Sequence, residues 1–234
     1  MNWVAPDTAR MMEAVDRTWS AAEFRTCGPF TLRRGADGGK RVSAASLSGD
    51  FTETNIRAAE AEMLAMGQPK LFQLYGDGGL DAWLDTDGYR KFDEVTLYAI
   101  PAAEMTGDMV DRPVEPTPTL AQFWAAQGIG EGRLDVMRRV SGPKICLTMG
   151  NVQAAAFVAA DRDMALVHAL EVSPIHRRQG IGRQMMQGAA AWAVAQGVET
   201  LGLVVLSHNT GARALYKALG MTECGAYHYR IKED

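Results

Sequence analysis

The sequence predicts an α/β protein with a mixed sheet, divided into two halves. Three observations carry this. Apolar runs of strand length alternate with helix-period segments. Three of the nine prolines fall between Pro113 and Pro118, within a run from Asp111 to Thr119 that reads as an extended connector. At 234 residues, 47% hydrophobic and 22% charged, the chain can bury a sizeable core in one large domain or two smaller ones. Splitting at the proline run gives expected domains of residues 1–112 and 117–234.

The first half opens with a helical stretch from about Thr8 to Phe24. Phe30 to Arg34 and Arg41 to Leu47 read as strands, joined by the turn cluster Gly35 to Lys40. That cluster ends in glycine and lysine as a P-loop does, but Arg34 stands at the first glycine position and Arg41 replaces the Ser/Thr. A hairpin turn is the expectation. Asn55 to Met66 reads as a helix, Lys70 to Tyr75 as a strand, Gly79 to Leu84 as a helical turn or two, and Val95 to Ile100 as a strand.

In the second half, Leu120 to Gln127 and Gly132 to Val140 read as helices. Lys144 to Met149 and Val152 to Ala160 are strands meeting at Gly150-Asn151, and Met164 to Val172 is a third. From Gly180 to Gln196 apolar residues recur at helical spacing, and Gly197 stops the helix. Thr200 to Leu206 has the continuous apolar character of a buried strand. Asn209 sits where a helix cap belongs, with Ala212, Leu215 and Leu219 as the apolar stripe and Gly220 as the stop. Met221 to Ile231 returns as a final strand or hairpin.

A net charge of −4 argues against a dedicated nucleic-acid or anionic-membrane binder. Cys27, Cys146 and Cys224 are odd in number and widely spaced, which argues against a disulfide framework or a structural zinc and suits a cytoplasmic location. The N-terminal segment lacks an apolar signal core, and no apolar stretch is long enough to span a membrane. His168, His176, His208 and His228 show no metal-ligand spacing, so no metal is expected; His168 could line a cleft or be a satisfied structural histidine.

The chemistry concentrates between Leu170 and Arg183. A strand ends at Val172, and a short loop feeds a helix N-terminus at Gly180 and Gly182. Such a terminus presents unpaired N–H groups and the positive end of the helix dipole. Glycine permits close approach to the backbone, and Arg177, Arg178 and Arg183 add positive charge. The result is an anion cradle suited to a pyrophosphate. A solvated basic loop is the bland alternative. A dinucleotide fingerprint fails, because Met185 occupies its third glycine position.

Arg177-x-x-Gly180-x-Gly182 resembles the R/Q-x-x-G-x-G/A loop of the GNAT superfamily of N-acetyltransferases. Leu170-Glu-Val-Ser-Pro174 resembles the L-x-V-x-P strand before it, and Asn209 to Met221 the N-x-x-A-x-x-L-Y-x-x-x-G-F segment after it. The resemblance covers about residues 144–230. It implies a GNAT-like acyltransferase fold and acetyl-CoA as cosubstrate. Leu170 and Val172 would pair through their backbone with the pantetheine arm. Arg177, Arg178, Gln179, Gly180, Ile181 and Gly182 would hold the pyrophosphate. Asn209 would bond the pantetheine or fix its helix, with Ala212 beside it, and Tyr216 would sit near the thioester sulfur. Acetyl transfer to an amine needs a proton acceptor and gains from a donor at the leaving thiolate. Tyr216 is the candidate donor, against a packed aromatic. Glu171 is the candidate base, against an exposed sheet residue.

The first half carries a faint echo of the second. Leu80 to Tyr89 resembles the segment from Ala212 to Met221, and aligning Gly88 with Gly220 puts Leu84 where Tyr216 stands. Thr52-Glu-Thr-Asn55 occupies the place of the glycine loop. The arrangement looks like the tandem-domain GNAT proteins, with a degenerate first half that is structural or walls the acceptor pocket. The expected function is acetyl transfer to the primary amine of a small molecule, with no nucleic-acid or membrane partner. The alternatives are a non-catalytic acyl-CoA-binding sensor or partner protein, and a protein N-acetyltransferase.

Overall fold

The computed structural model describes residues 3–76, 79–105, 107 and 115–233. Much of the Asp111 to Thr119 connector lies outside them. At its far end Pro118 is the first residue of a helix, α4 (Pro118–Ala126), capped by the Thr117 side chain on Leu120 N. Proline fits there because its missing N–H is one that a first helical turn leaves unpaired anyway.

In the first half the elements are α1 (Thr8–Thr18), β1 (Glu23–Cys27), β2 (Phe30–Arg34), β3 (Ser46–Leu47), α2 (Glu53–Ala65), β4 (Lys70–Leu74), α3 (Leu80–Thr86) and β5 (Arg90–Pro101). The second half has α4, α5 (Glu131–Arg139), β6 (Lys144–Met149), β7 (Ala154–Asp161), β8 (Met164–Val172), α6 (Ile181–Ala195), β9 (Thr200–Leu206), α7 (Thr210–Ala218) and β10 (Thr222–Lys232).

Two expectations need correction. The first helix does not reach Phe24: it stops at Thr18, and Phe24 lies on β1, which pairs antiparallel with β2 from Glu23↔Arg34 to Cys27↔Phe30. Pairing with a neighbouring strand overrides a helical spacing. The strand expected over Arg41 to Leu47 is reduced to Ser46–Leu47, because Lys40–Val42 turns as a short 3-10 helix. The hairpin itself holds, through Phe30↔Leu47 and Thr31↔Ser46, with a longer connection than a tight turn. The chain from Met221 onward forms one strand, β10, and not a hairpin.

The two halves repeat one order of elements. In the first, β1, β2 and β3 are antiparallel, α2 follows, and β4 meets the end of the third strand in parallel through Ala45↔Phe72. Then come α3 and β5. In the second, β6, β7 and β8 are antiparallel, α6 follows, and β9 runs parallel to β8 before α7 and β10. Leu84 and Tyr216 stand at the same position of a helix-ending turn, as Met63, Trp124 and Ala193 also do. Tyr89 N donates to Leu84 O at 2.9 Å, and Met221 N donates to Tyr216 O at 3.1 Å. Both follow a glycine of positive φ, Gly88 at 85° and Gly220 at 82°, where a side chain would be strained.

β4 to β10 form one mixed seven-stranded sheet, in the order β4-β10-β5-β9-β8-β7-β6. By compactness the chain divides into Met1–Ser20 with Thr96–Gly225, and Ala21–Val95 with Ala226–Asp234. β5 and β10 thus each pass from one unit to the other along their length. The larger unit has a core of Leu147, Ala156, Val158, Val167, Leu201 and Leu203 from the sheet under Met185, Met186 and Trp192 of α6. The smaller has its own core around Phe30, Leu32, Ile56, Met63, Phe72 and Leu84.

Candidate active site

The site lies within the larger unit, where β8 and β9 part. Their parallel ladder runs from Met164↔Thr200 to Val167↔Leu203. Both strands continue past it, β8 to Val172 and β9 to Leu206. The cause is visible in β8. Its register with β7 slips between Ala155↔Glu171 and Phe157↔His168, so β8 carries one extra residue there. Ala169 takes φ 49°, in the left-handed region. A bulge of this kind bends a strand and re-aims its side chains. Trp124 of α4, fully buried, donates its indole N–H to Ala169 O at 3.0 Å and holds the bulge.

The bulge also switches the alternation. Ala165 and Val167 lie in the α6 core before it, and Leu170 and Val172 pack against the same core after it. Glu171 therefore points to the opposite face. Burial pushes its carboxyl above the ordinary 4.5, while Arg177 and Arg133 of α5 pull it back down.

Past Val172 the chain turns through Pro174–His176 and enters α6 at Gly180. Arg178 at φ 64° and Gly180 at φ 80° shape this entry. A Cβ on Gly180 would meet no protein atom within 4 Å, so its surroundings are open. Gln184 N is bonded to Gly180 O at 3.2 Å. The N–H groups of Ile181, Gly182 and Arg183 precede that first helical bond and face outward along the axis.

The loop arginines have different places. The Arg177 side chain folds back and donates through Nε to Val172 O at 3.0 Å. Arg183 does not join the cradle; it donates to Ala218 O at 3.2 Å, at the C-terminus of α7, where a cation meets the negative end of the dipole. Gln179 donates to Ile175 O at 3.4 Å. Gly182 packs closely on α7: a Cβ there would lie 3.0 Å from Leu215 Cδ2, so that side chain would have to shift.

Asn209 caps α7, its side chain accepting from Ala212 N at 3.1 Å. Ala212 and Leu215 pack on the core, and Tyr216 is buried one turn after Ala212. Burial raises the Tyr216 hydroxyl well above its ordinary range, and the Glu171 charge acts in the same direction. The candidate base and the candidate acid are thus within electrostatic reach of one another. Tyr98 of β5 packs beside Tyr216, ring centroids 5.9 Å apart. Its own hydroxyl is held by Glu223 at 3.2 Å and Arg213 at 3.3 Å. Trp124, Tyr98 and Arg133 were not marked by any motif. Trp124 and Tyr98 come from elements outside the motif-bearing stretch, and only the fold brings them in.

Known proteins share this arrangement. The model of the acetyltransferase (GNAT) family matches residues 144–221, which span β6 to the end of α7. Similarity extends to YobR, an uncharacterized N-acetyltransferase of Bacillus subtilis, at 24% identity over 97% of this chain and 99% of its own. Streptothricin acetyltransferase of Streptomyces lavendulae is 36% identical, over 63% of this chain and 79% of its own. The chain belongs to the GNAT acetyltransferase family.

In fold, the GNAT chain is similar to a GCN5-related N-acetyltransferase from Kribbella flavida, with a TM-score of 0.69 at 17% identity, covering 97% of this chain and 95% of that one. Within this GNAT chain only the second repeat has the glycine loop. In the first, α2 is capped by a box of Thr52 and Asn55.

Proposed function

We propose that this protein moves an acetyl group from acetyl-CoA to the primary amine of a small molecule, by direct transfer at the second repeat. The observation that carries the reading is the parting of β8 and β9 beside the N-terminus of α6. Strands that separate while still extended leave the Leu170 backbone groups and the Val172 N–H for an amide-bearing arm to use, while the Val172 carbonyl is held by Arg177. The unpaired N–H groups of Ile181 and Gly182, with the charge of Arg178, suit a pyrophosphate. Gly180 leaves the space open, so these residues fit the coenzyme.

Bound acetyl-CoA supplies a thioester, whose carbonyl carbon takes the amine nitrogen as the bond to sulfur breaks. The protein's part is in the protons. An alkylamine is mostly protonated at neutral pH and must lose a proton to attack. Glu171, directly or through one water, accepts that proton. The Tyr216 hydroxyl stays protonated because burial holds it so, and it donates to the departing sulfur. The products are an amide and a free thiol, with no covalent enzyme intermediate. A small acceptor is supported by the relative whose name states streptothricin as its substrate.

Calorimetric titration of acetyl-CoA tests the reading. Saturable micromolar binding that weakens in Arg178→Ala supports it. A wild-type protein that takes up no coenzyme overturns it.

A further inference from the structure

The smaller unit has a polar face that its repeat relationship does not require. On β2, Phe30 and Leu32 enter the core, so alternation puts Thr31 and Arg33 on the other face. On β4, Phe72 and Leu74 enter the core, leaving Leu71 and Gln73 opposite. Gln73 is paired directly with Tyr229 of β10, so the two side chains stand next to each other. Arg33, Gln73, Tyr227 and Tyr229 are all buried. In the second repeat the corresponding face carries Cys146, Phe157 and Leu166, with one buried polar side chain, His168, bonded to Thr18 at 2.9 Å.

Two donors on this face have no acceptor among the described residues: Gln73 Nε2 and Arg41 Nε, both buried atoms. A buried donor left unpaired is costly, so a pair of them needs a reason. They converge on one place. The Arg41 guanidinium lies against the hydroxyls of Tyr227 and Tyr229, and Tyr229 adjoins Gln73. Arg33, held by Ala44 O at 2.9 Å and Ser46 Oγ at 3.0 Å, adds a second guanidinium whose charge reaches Tyr229. Lys40, Arg41, Phe92 and Asp93 are only half-buried, with Lys40 paired to Asp93 and lying over the Phe92 and Tyr229 rings, so the surroundings of the site reach solvent.

We propose that this face of the first repeat binds the oxyanion of a small molecule, through Arg41 Nε and Gln73 Nε2 beside Tyr227 and Tyr229. Both marked groups donate and none of them accepts, which selects an anion. Guanidinium and amide N–H groups match the oxygens of a carboxylate, and a phosphate offers the same oxygens. The site lies apart from the glycine loop of the second repeat in sequence and stands on different residues.

Nuclear magnetic resonance titration of the full-length protein, without acetyl-CoA, tests this. Potassium acetate and inorganic phosphate are added separately at fixed ionic strength, with chloride as control, while the Gln73 side-chain amide and the Arg41 Nε–H are followed. Saturable shifts of both groups, absent with chloride, are expected. Tighter acetate assigns a carboxylate and tighter phosphate a phosphoryl group. Gln73→Leu and Arg41→Lys should each weaken the binding at least tenfold. The proposal is overturned if neither anion saturates these signals, if folded variants bind as the wild type does, or if only the amides of Ile181 and Gly182 respond. That last result would report on the coenzyme cradle, so the two sites are read separately.

Discussion

The indole Nε1 of Trp124 donates a 3.0 Å hydrogen bond to the carbonyl of Ala169. Ala169 is the left-handed residue of the β8 bulge, and the bulge is where β8 leaves β9. A residue on α4, a helix separated from β6 by α5, therefore anchors the bulge beside the cleft that the family motifs border. Trp124→Phe removes the indole N–H and one of its two rings; the unpaired carbonyl costs about 1–3 kcal/mol, and the void left at a fully buried position adds to that. Urea unfolding should show that loss. The KM for acetyl-CoA should rise more than kcat falls, because the variant loosens the cleft and not the proton relay.

Tyr216 is judged by separating binding from turnover. Tyr216→Phe removes one hydroxyl and keeps the packing against Tyr98. Loss of a general acid lowers rates by about 100-fold or more. Turnover on a good acceptor should fall by that order while coenzyme affinity stays within about twofold, a change under 0.5 kcal/mol. Equal turnover in both proteins would make Tyr216 a packed aromatic only.

The pH dependence follows from Glu171. Burial holds its pKa above the ordinary 4.5, against Arg177 and Arg133. As a proton acceptor it must be ionised, so activity should fall as pH drops through that raised value. Glu171→Gln should abolish that limb of the profile. The stability sign runs the other way. A pKa higher in the fold than in the unfolded chain gives a contribution present below the unfolded value and lost as pH rises through the folded one. Glu171→Gln should therefore melt higher than the wild type at neutral pH, with the difference shrinking in acid. Thermal melts across pH check both.

Arg178 separates backbone from side chain. Its φ of 64° strains any residue but glycine, by about 1–2 kcal/mol. Arg178→Gly should raise the melting temperature and weaken coenzyme binding about as much as Arg178→Ala. Arg178→Ala should lose affinity with no gain in stability. A glycine variant that binds as the wild type does would show that the loop backbone alone holds the phosphates.

Much of this was legible in the sequence, for a physical reason. Gly180, Asn209 and Gly220 each stand where the backbone or a helix cap admits few residue types, so they read locally. The helix ends after Leu84 and Tyr216 were readable through the glycines that follow them, Gly88 and Gly220. Phe24 and Arg41 misread because what they meet in the fold overrides local spacing: Phe24 pairs with Arg33 across the β1–β2 hairpin, and Arg41 turns in a 3-10 helix with its guanidinium against Tyr227 and Tyr229. Tyr98 and Trp124 gave no signal at all, since a buried aromatic looks alike in any core. Arg183 was read as part of the cradle from its charge alone, but its reach to Ala218 O needs the packing of α6 on α7.

Thiol release from acetyl-CoA across a panel of small primary amines tests the central claim most directly. The account predicts an acceptor for which free thiol and acetylated amine form in equal amounts, at a rate that collapses in Tyr216→Phe. Tight coenzyme binding with no transfer to any amine would contradict it and leave an acyl-CoA sensor in its place.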